Sequence, residues 1–131
     1  MGLAGRKVDA EARRRHSEDE DLARRLPELM EAVAAAERNL AAAHAAGADS
    51  AELHRCGTGL DAALTDAMRA AYARERVLVG PRGRVDRLYR RKRLARPEIR
   101  RATELAERLL TAREEHRLHG VRRVPRSPVA A

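Results

Sequence analysis

A heptad seam governs the first third of the chain. Leu22, Leu26, Leu29, Val33, Ala36, Leu40 and Ala43 alternate spacings of four and three, which puts them on one stripe of an α-helix for about three heptads. A strand cannot use that pattern, because its side chains alternate with a period of two. Pro27 falls inside the seam. A proline within a helix removes one hydrogen bond and costs about 3 kcal/mol. The stripe continues on both sides of it, so a kink or short break is expected there, not a topological turn.

Punctuation along the rest of the chain marks further helices. Ser17 stands three residues before Glu20, the capping-box spacing, and Glu18, Asp19, Glu20 and Asp21 give the acidic first turn that a helix favours. The first helix is therefore expected to start at Ser17, with residues 1–16 a flexible polar N-terminus. Gly47 suits the position after a helix end. Asp49, with Glu52 three residues on, suits the start of the next helix, whose buried stripe is Leu53, Cys56, Leu60, Ala63, Leu64, Ala67, Met68 and Ala71. Two long helices with so short a link should lie antiparallel. Gly57 and Gly59 are expected to allow close approach to the Ala41–Ala46 stretch.

Gly80-Pro81-Arg82-Gly83 is a firm break. A short helix from Arg84 to about Leu94 should follow, then a last helix from Pro97 to about Leu118, with Ile99, Ala102, Leu105, Ala106, Leu109 and Leu110 on its apolar face and Gly120 at its end. No strand signal and no internal repeat is present. The fold expected is all-α: an antiparallel helical hairpin over residues 17–79, extended to a three- or four-helix bundle by residues 80–120, with a basic disordered tail over 121–131.

The core is thin. Of the 57 apolar residues 27 are alanine, and Phe and Trp are absent. Only about 30 side chains can contribute the roughly 1.5–3 kcal/mol that full burial of a large apolar group brings. That favours a helical hairpin or an oligomer over a bulky globule. A homo-oligomer paired through Leu22, Leu26, Leu29, Val33 and Leu40 is a further expectation.

Charge is distributed unevenly. The net of +8 divides into −2 over residues 1–79 and +10 over residues 80–131. The 26 Arg against 2 Lys and the excess of Ala match GC-rich codons, so the bare charge is discounted; the asymmetry is not. The single Cys56 cannot form an internal disulfide, and a reducing cytoplasmic location is expected. No apolar stretch opens the chain as a signal peptide would, and none reaches the ~18 residues of a membrane span.

Between Pro81 and Arg101 lie Arg82, Arg84, Arg87, Arg90, Arg91, Lys92, Arg93, Arg96, Arg100 and Arg101, opposed only by Asp86 and Glu98. On a helix, Val85, Leu88 and Tyr89 would form one narrow wedge, with Lys92 inside it and most arginines outside. Arg84, Arg87, Arg90, Arg91, Lys92, Arg93, Arg96, Arg100 and Arg101 are the candidate anion-binding residues. Phosphates of DNA or RNA would supply the missing counter-charge, and released counterions would drive binding. Two other readings compete: an acidic protein surface that neutralises the segment, and a solvated face with no partner. In the last helix Arg100 and Arg108 are both placed to pair with Glu104. A basic amphipathic helix can also bind anionic membranes, but this wedge is narrow and lacks Trp and Phe.

Tyr72 and Tyr89 are the only aromatics, so base stacking on single strands has little support. No zinc-finger, RNA-recognition or KH signature is present, and a helix-turn-helix over 84–110 would lack the usual turn glycine. Backbone-directed, weakly specific contact is the expected mode. Glu115, His116 and His119 form a weak metal signal, better read as helix surface. No phosphate loop, nucleophile elbow or HExxH appears, so neither enzyme activity nor a cofactor is expected.

Overall fold

The computed structural model describes residues 8–129, with side chains described through His119. The described chain is all-helical. Its elements are α1 (Ala10–Arg24), α2 (Leu26–Ala45), α3 (Ser50–Val79), a 3₁₀ turn (Pro81–Arg84), α4 (Arg87–Leu94) and α5 (Pro97–Val129). The chain divides into two compact units, and α3 and α5 contribute to both.

The first helix begins earlier than its capping box suggests. Asp9, not Ser17, is the N-cap, and its carboxylate accepts from the Ala12 amide at 2.8 Å. Residues 10–16, expected to be flexible, are helical; residues 1–7 lie outside the described residues. Side-chain pairs explain why so polar a segment coils. Glu11 bridges Arg14 and Arg15 one turn on, and Arg24 pairs with Asp21. Such pairs contribute about 0.2–0.5 kcal/mol each.

The break anticipated at Pro27 occurs two residues before it. Arg25 lies between α1 and α2, and its amide closes a tight turn on the Leu22 carbonyl at 3.0 Å. Pro27 is then the second residue of α2, where its missing N–H costs no intrahelical bond.

The first unit holds α1, the end of α3 from Met68, the 3₁₀ turn, α4 and the start of α5 to Glu107. Small residues fill it: Ala12, Ala70, Ala71, Ala73, Ala102 and Ala106 are buried, with Leu26, Val79 and Ile99 as its buried large side chains. The α1 helix packs against the 3₁₀ turn. That turn depends on two glycines. Gly80 has φ +98°, a conformation other residues adopt only with strain. At Gly83 a Cβ would lie 2.4 Å from Val79 Cγ1, so only glycine lets the turn close over that buried valine.

The second unit holds α2, the start of α3 to Ala67, and α5 from Arg108. Gly47, at φ +69°, ends α2: its amide bonds the His44 carbonyl and the Ala48 amide bonds the Ala43 carbonyl, both at 3.0 Å. This is the Schellman closure that glycine makes possible. Asp49 caps α3, accepting from the Glu52 amide at 2.9 Å. Leu29, Val33, Leu60, Leu64 and Leu109 are buried. From α5, His116 Nε2 donates to the Gly57 carbonyl at 2.7 Å, and Arg117 forks onto Asp61 at 2.6 and 3.2 Å. Gly59 is exposed and a Cβ there would meet nothing, so it does not serve close approach as expected.

The seam residues are covered within the single chain. Leu26, Leu29 and Val33 are buried, and Leu22 and Leu40 half-buried. At the other end, α5 does not stop at Gly120. Its backbone continues helical to Val129, over the segment expected to be a disordered tail; residues 130 and 131 lie outside the described residues. One interior glycine costs about 1 kcal/mol relative to alanine, too little by itself to end a long helix.

Candidate anion-binding surface

The basic segment folds as three pieces, each with a local cause. Pro81 pre-sets the backbone for the 3₁₀ turn. Asp86 caps α4, accepting from the Tyr89 amide at 3.0 Å, so α4 starts at Arg87 and not at Arg84. Pro97 opens α5, and the Arg100 amide reaches the Arg96 carbonyl at 2.8 Å.

Two of the candidate arginines, Arg84 and Arg93, turn inward. Arg84 donates to Asp19 Oδ2 at 2.7 Å, and Arg76 forks onto both oxygens of the same carboxylate at 3.0 Å. The Asp19 side chain is only 8% exposed, and that of Arg84 27%. Burial alone would push the Asp19 carboxyl up. The hydrogen bonds and charges of Arg76 and Arg84 outweigh it and hold the carboxyl below its ordinary value. Arg93 donates to the Leu78 carbonyl at 2.7 Å, placing a cation on the negative end of α3. Arg82 pairs with Asp86 at 3.2 Å and lies 4.6 Å over the Tyr89 ring, with Arg93 at 6.0 Å from the same ring. Arg84 and Arg93, two of the candidate binding residues, are thus structural ties.

The remaining candidates are free. Arg87, Arg90, Arg91, Lys92, Arg96, Arg100 and Arg101 are exposed, and none has an ion-pair partner among the described residues. Neither Arg100 nor Arg108 forms the anticipated pair with Glu104. At about 100° per residue, Arg87, Leu88, Arg91 and Lys92 occupy one continuous outward arc of α4. Val85 and Tyr89 are half-buried as the wedge requires, but Leu88 is 67% exposed and Lys92 is exposed too, so the wedge is narrower than expected. The reason is its shortness: α4 has eight residues, of which Tyr89, Arg93 and Leu94 are the half-buried ones.

Two concavities border this helix. One, about 370 Å³, lies between the end of α3 and α4, with Arg76, Arg84, Arg87 and Arg90 around it, Glu75 at its side and Val79, Gly80, Gly83 and Leu94 completing it. The other, about 520 Å³, is lined by Arg87, Leu88, Arg90, Arg91 and Leu94. Glu75 is held by the Thr103 hydroxyl, which donates to it.

Sequence reasoning missed Arg76 and Asp19. Arg76 sits in the near-neutral half, and Asp19 reads in sequence as one acid of a helical first turn. No group of three or more His, Cys, Asp or Glu side chains placed to hold a metal occurs among the described residues, and no helix among them is long and apolar enough to cross a membrane. No family model, curated protein or solved structure matches this chain.

Proposed function

We propose that the protein is a small nucleic-acid-associated binding protein that grips phosphate backbones, with weak sequence preference, through α4 and the start of α5. A helical hairpin extended to a three- or four-helix bundle is its proposed scaffold, and the cytoplasm its proposed location. The observation that carries the reading is the row of exposed, unpaired cations Arg87, Arg90, Arg91, Lys92, Arg96, Arg100 and Arg101. They share one short region, so bringing a polyanion to them neutralises several at once and releases its condensed counterions. Guanidinium groups also match phosphate oxygens in a bidentate manner that ammonium groups do not. With Tyr89 engaged between Arg82 and Arg93, no aromatic is left on this surface for base stacking.

The test is a gel-shift titration of duplex DNA and duplex RNA at two salt concentrations. Affinity should fall steeply with salt, and Arg87→Ala, Arg90→Ala and Arg91→Ala together should reduce it strongly. Binding that ignores both salt and these substitutions would remove the reading.

A second reading rests on Leu88. A leucine exposed amid guanidiniums suits docking of α4 on an acidic protein surface, where the leucine would be covered and the cations paired. On that reading Leu88→Ala weakens partner binding, whereas nucleic-acid affinity should be indifferent to it.

A further inference from the structure

We infer that the cleft between the end of α3 and α4 is a seat for a phosphate dianion, carried as a terminal monoester or as the free ion. The inference rests on the anion-binding reading of the same helix and goes beyond it, naming a compact ligand for one place on that surface.

Charge, shape and support all lead there. Four arginines line the cleft, Arg76, Arg84, Arg87 and Arg90. Two carboxylates oppose them: Glu75, which also lines the cleft, and Asp19, which pairs with Arg76 and Arg84. The balance is two positive charges, which a phosphomonoester dianion cancels and an internal diester, with one charge, does not. The volume, about 370 Å³, is at the small end of the range for ligand sites and exceeds a phosphoryl group with its immediate substituent.

The four arginines have different standing. Arg76 and Arg84 are already fixed by Asp19, so ordering them costs little on binding. Both line the cleft together with Arg87 and Arg90, which have no partner among the described residues. Two arginines are thereby prepositioned and two are free to close on the anion. Gly83, in the same lining, packs without a side chain against Val79 and Arg90. The outward cations Arg91 and Lys92 take no part in this cleft. Two sources offer such a dianion, the terminal phosphate of a nucleic-acid strand and free phosphate.

The experiment uses the full chain and inorganic phosphate, titrated by calorimetry at constant ionic strength set with sodium chloride, alongside duplex DNA carrying either a 5′-phosphate or a 5′-hydroxyl. Wild-type protein should bind inorganic phosphate saturably with one site. Arg90→Gln should lower that affinity about tenfold, the weight of one charge-assisted hydrogen bond. Arg91→Ala with Lys92→Ala should leave it unchanged while weakening both duplexes alike. A preference of about tenfold for the 5′-phosphate duplex, lost in Arg90→Gln, makes the strand end the source; equal duplex affinities with phosphate still bound make free phosphate the source. Absence of saturable phosphate binding, or binding that Arg90→Gln leaves intact, overturns the proposal even if duplex DNA binds. Absence of duplex binding with phosphate still bound removes the nucleic-acid reading and keeps the cleft.

Discussion

Asp19 and Arg84, 65 residues apart in sequence, meet at 2.7 Å. Arg76 completes the contact from the end of α3, so one carboxylate ties α1, α3 and the 3₁₀ turn together. This is the only acid buried among the described residues, and it sits where the chain changes from α3 to its basic segment. The tie sets Arg84 apart from Arg87, Arg90 and Arg91, which are exposed and have no ion-pair partner among the described residues.

Replacing Asp19 by Asn should therefore destabilise the fold. The change removes the charge from three hydrogen bonds and leaves two guanidiniums facing each other. Because both arginines keep some contact with water, a loss of about 1–3 kcal/mol is expected. Urea unfolding followed by circular dichroism measures it, and a midpoint unchanged from wild type would contradict the structural role.

The same carboxylate should give the protein a defined acid limb. Its folded-state pKa lies below the ordinary value, so the folded state takes up the proton less readily than the unfolded chain. The stabilisation is complete above the unfolded carboxylate value, near about 4, and is lost as pH falls from there through the lowered one. Asp61, held down by the Arg117 hydrogen bond, adds in the same direction. Stability measured from pH 7 to 2 should show a smaller acid loss in Asp19→Asn than in wild type, with a further reduction when Asp61→Asn is added.

Arg84→Ala and Arg91→Ala should fail in opposite ways. The first should lower stability and leave the salt slope for duplex DNA carrying a 5′-hydroxyl nearly intact. The second should leave stability within about 0.5 kcal/mol and reduce the slope by up to about 0.9 if Arg91 contacts one phosphate. Paired unfolding and gel-shift measurements on both variants check this, and identical behaviour would erase the division between inward and outward arginines.

Gly83→Ala should cost about 1–3 kcal/mol through overpacking, because the methyl group meets a branched, buried side chain and not a flexible tip. Val79→Ala would open room for it. The double variant should recover part of the loss expected from adding the single effects, a coupling that a double-mutant cycle reads directly. Additive losses would mean that the turn relieves the clash by moving elsewhere.

The sequence announced its helices where the cause is local. The helix ends at Gly47, Asp49 and Pro97 and the interruption beside Pro27 each rest on one residue's own chemistry, and all stand close to where that chemistry puts them. The start at Asp9 escaped because α1's first turns are held by Glu11 with Arg14 and Arg15, a pattern without an apolar period. The candidate surface was legible as a region and not as individual residues. Nothing near Arg84 or Arg93 in sequence tells that their partners are Asp19 and the Leu78 carbonyl. Whether an arginine is spent or spare is decided by contacts across the fold, which local spacing does not encode.

Seven cations from Arg87 to Arg101 face solvent, and Glu98, the one carboxylate in that stretch of sequence, pairs with none of them. Their mutual repulsion strains the very helices that present them, most of all in dilute buffer. A bound polyanion would relieve that load, so occupancy and folding would become one thermodynamic quantity: the melting temperature would climb with ligand concentration and sag when anions are dialysed away. The molecule would then reach its firmest state in the grip of what it holds.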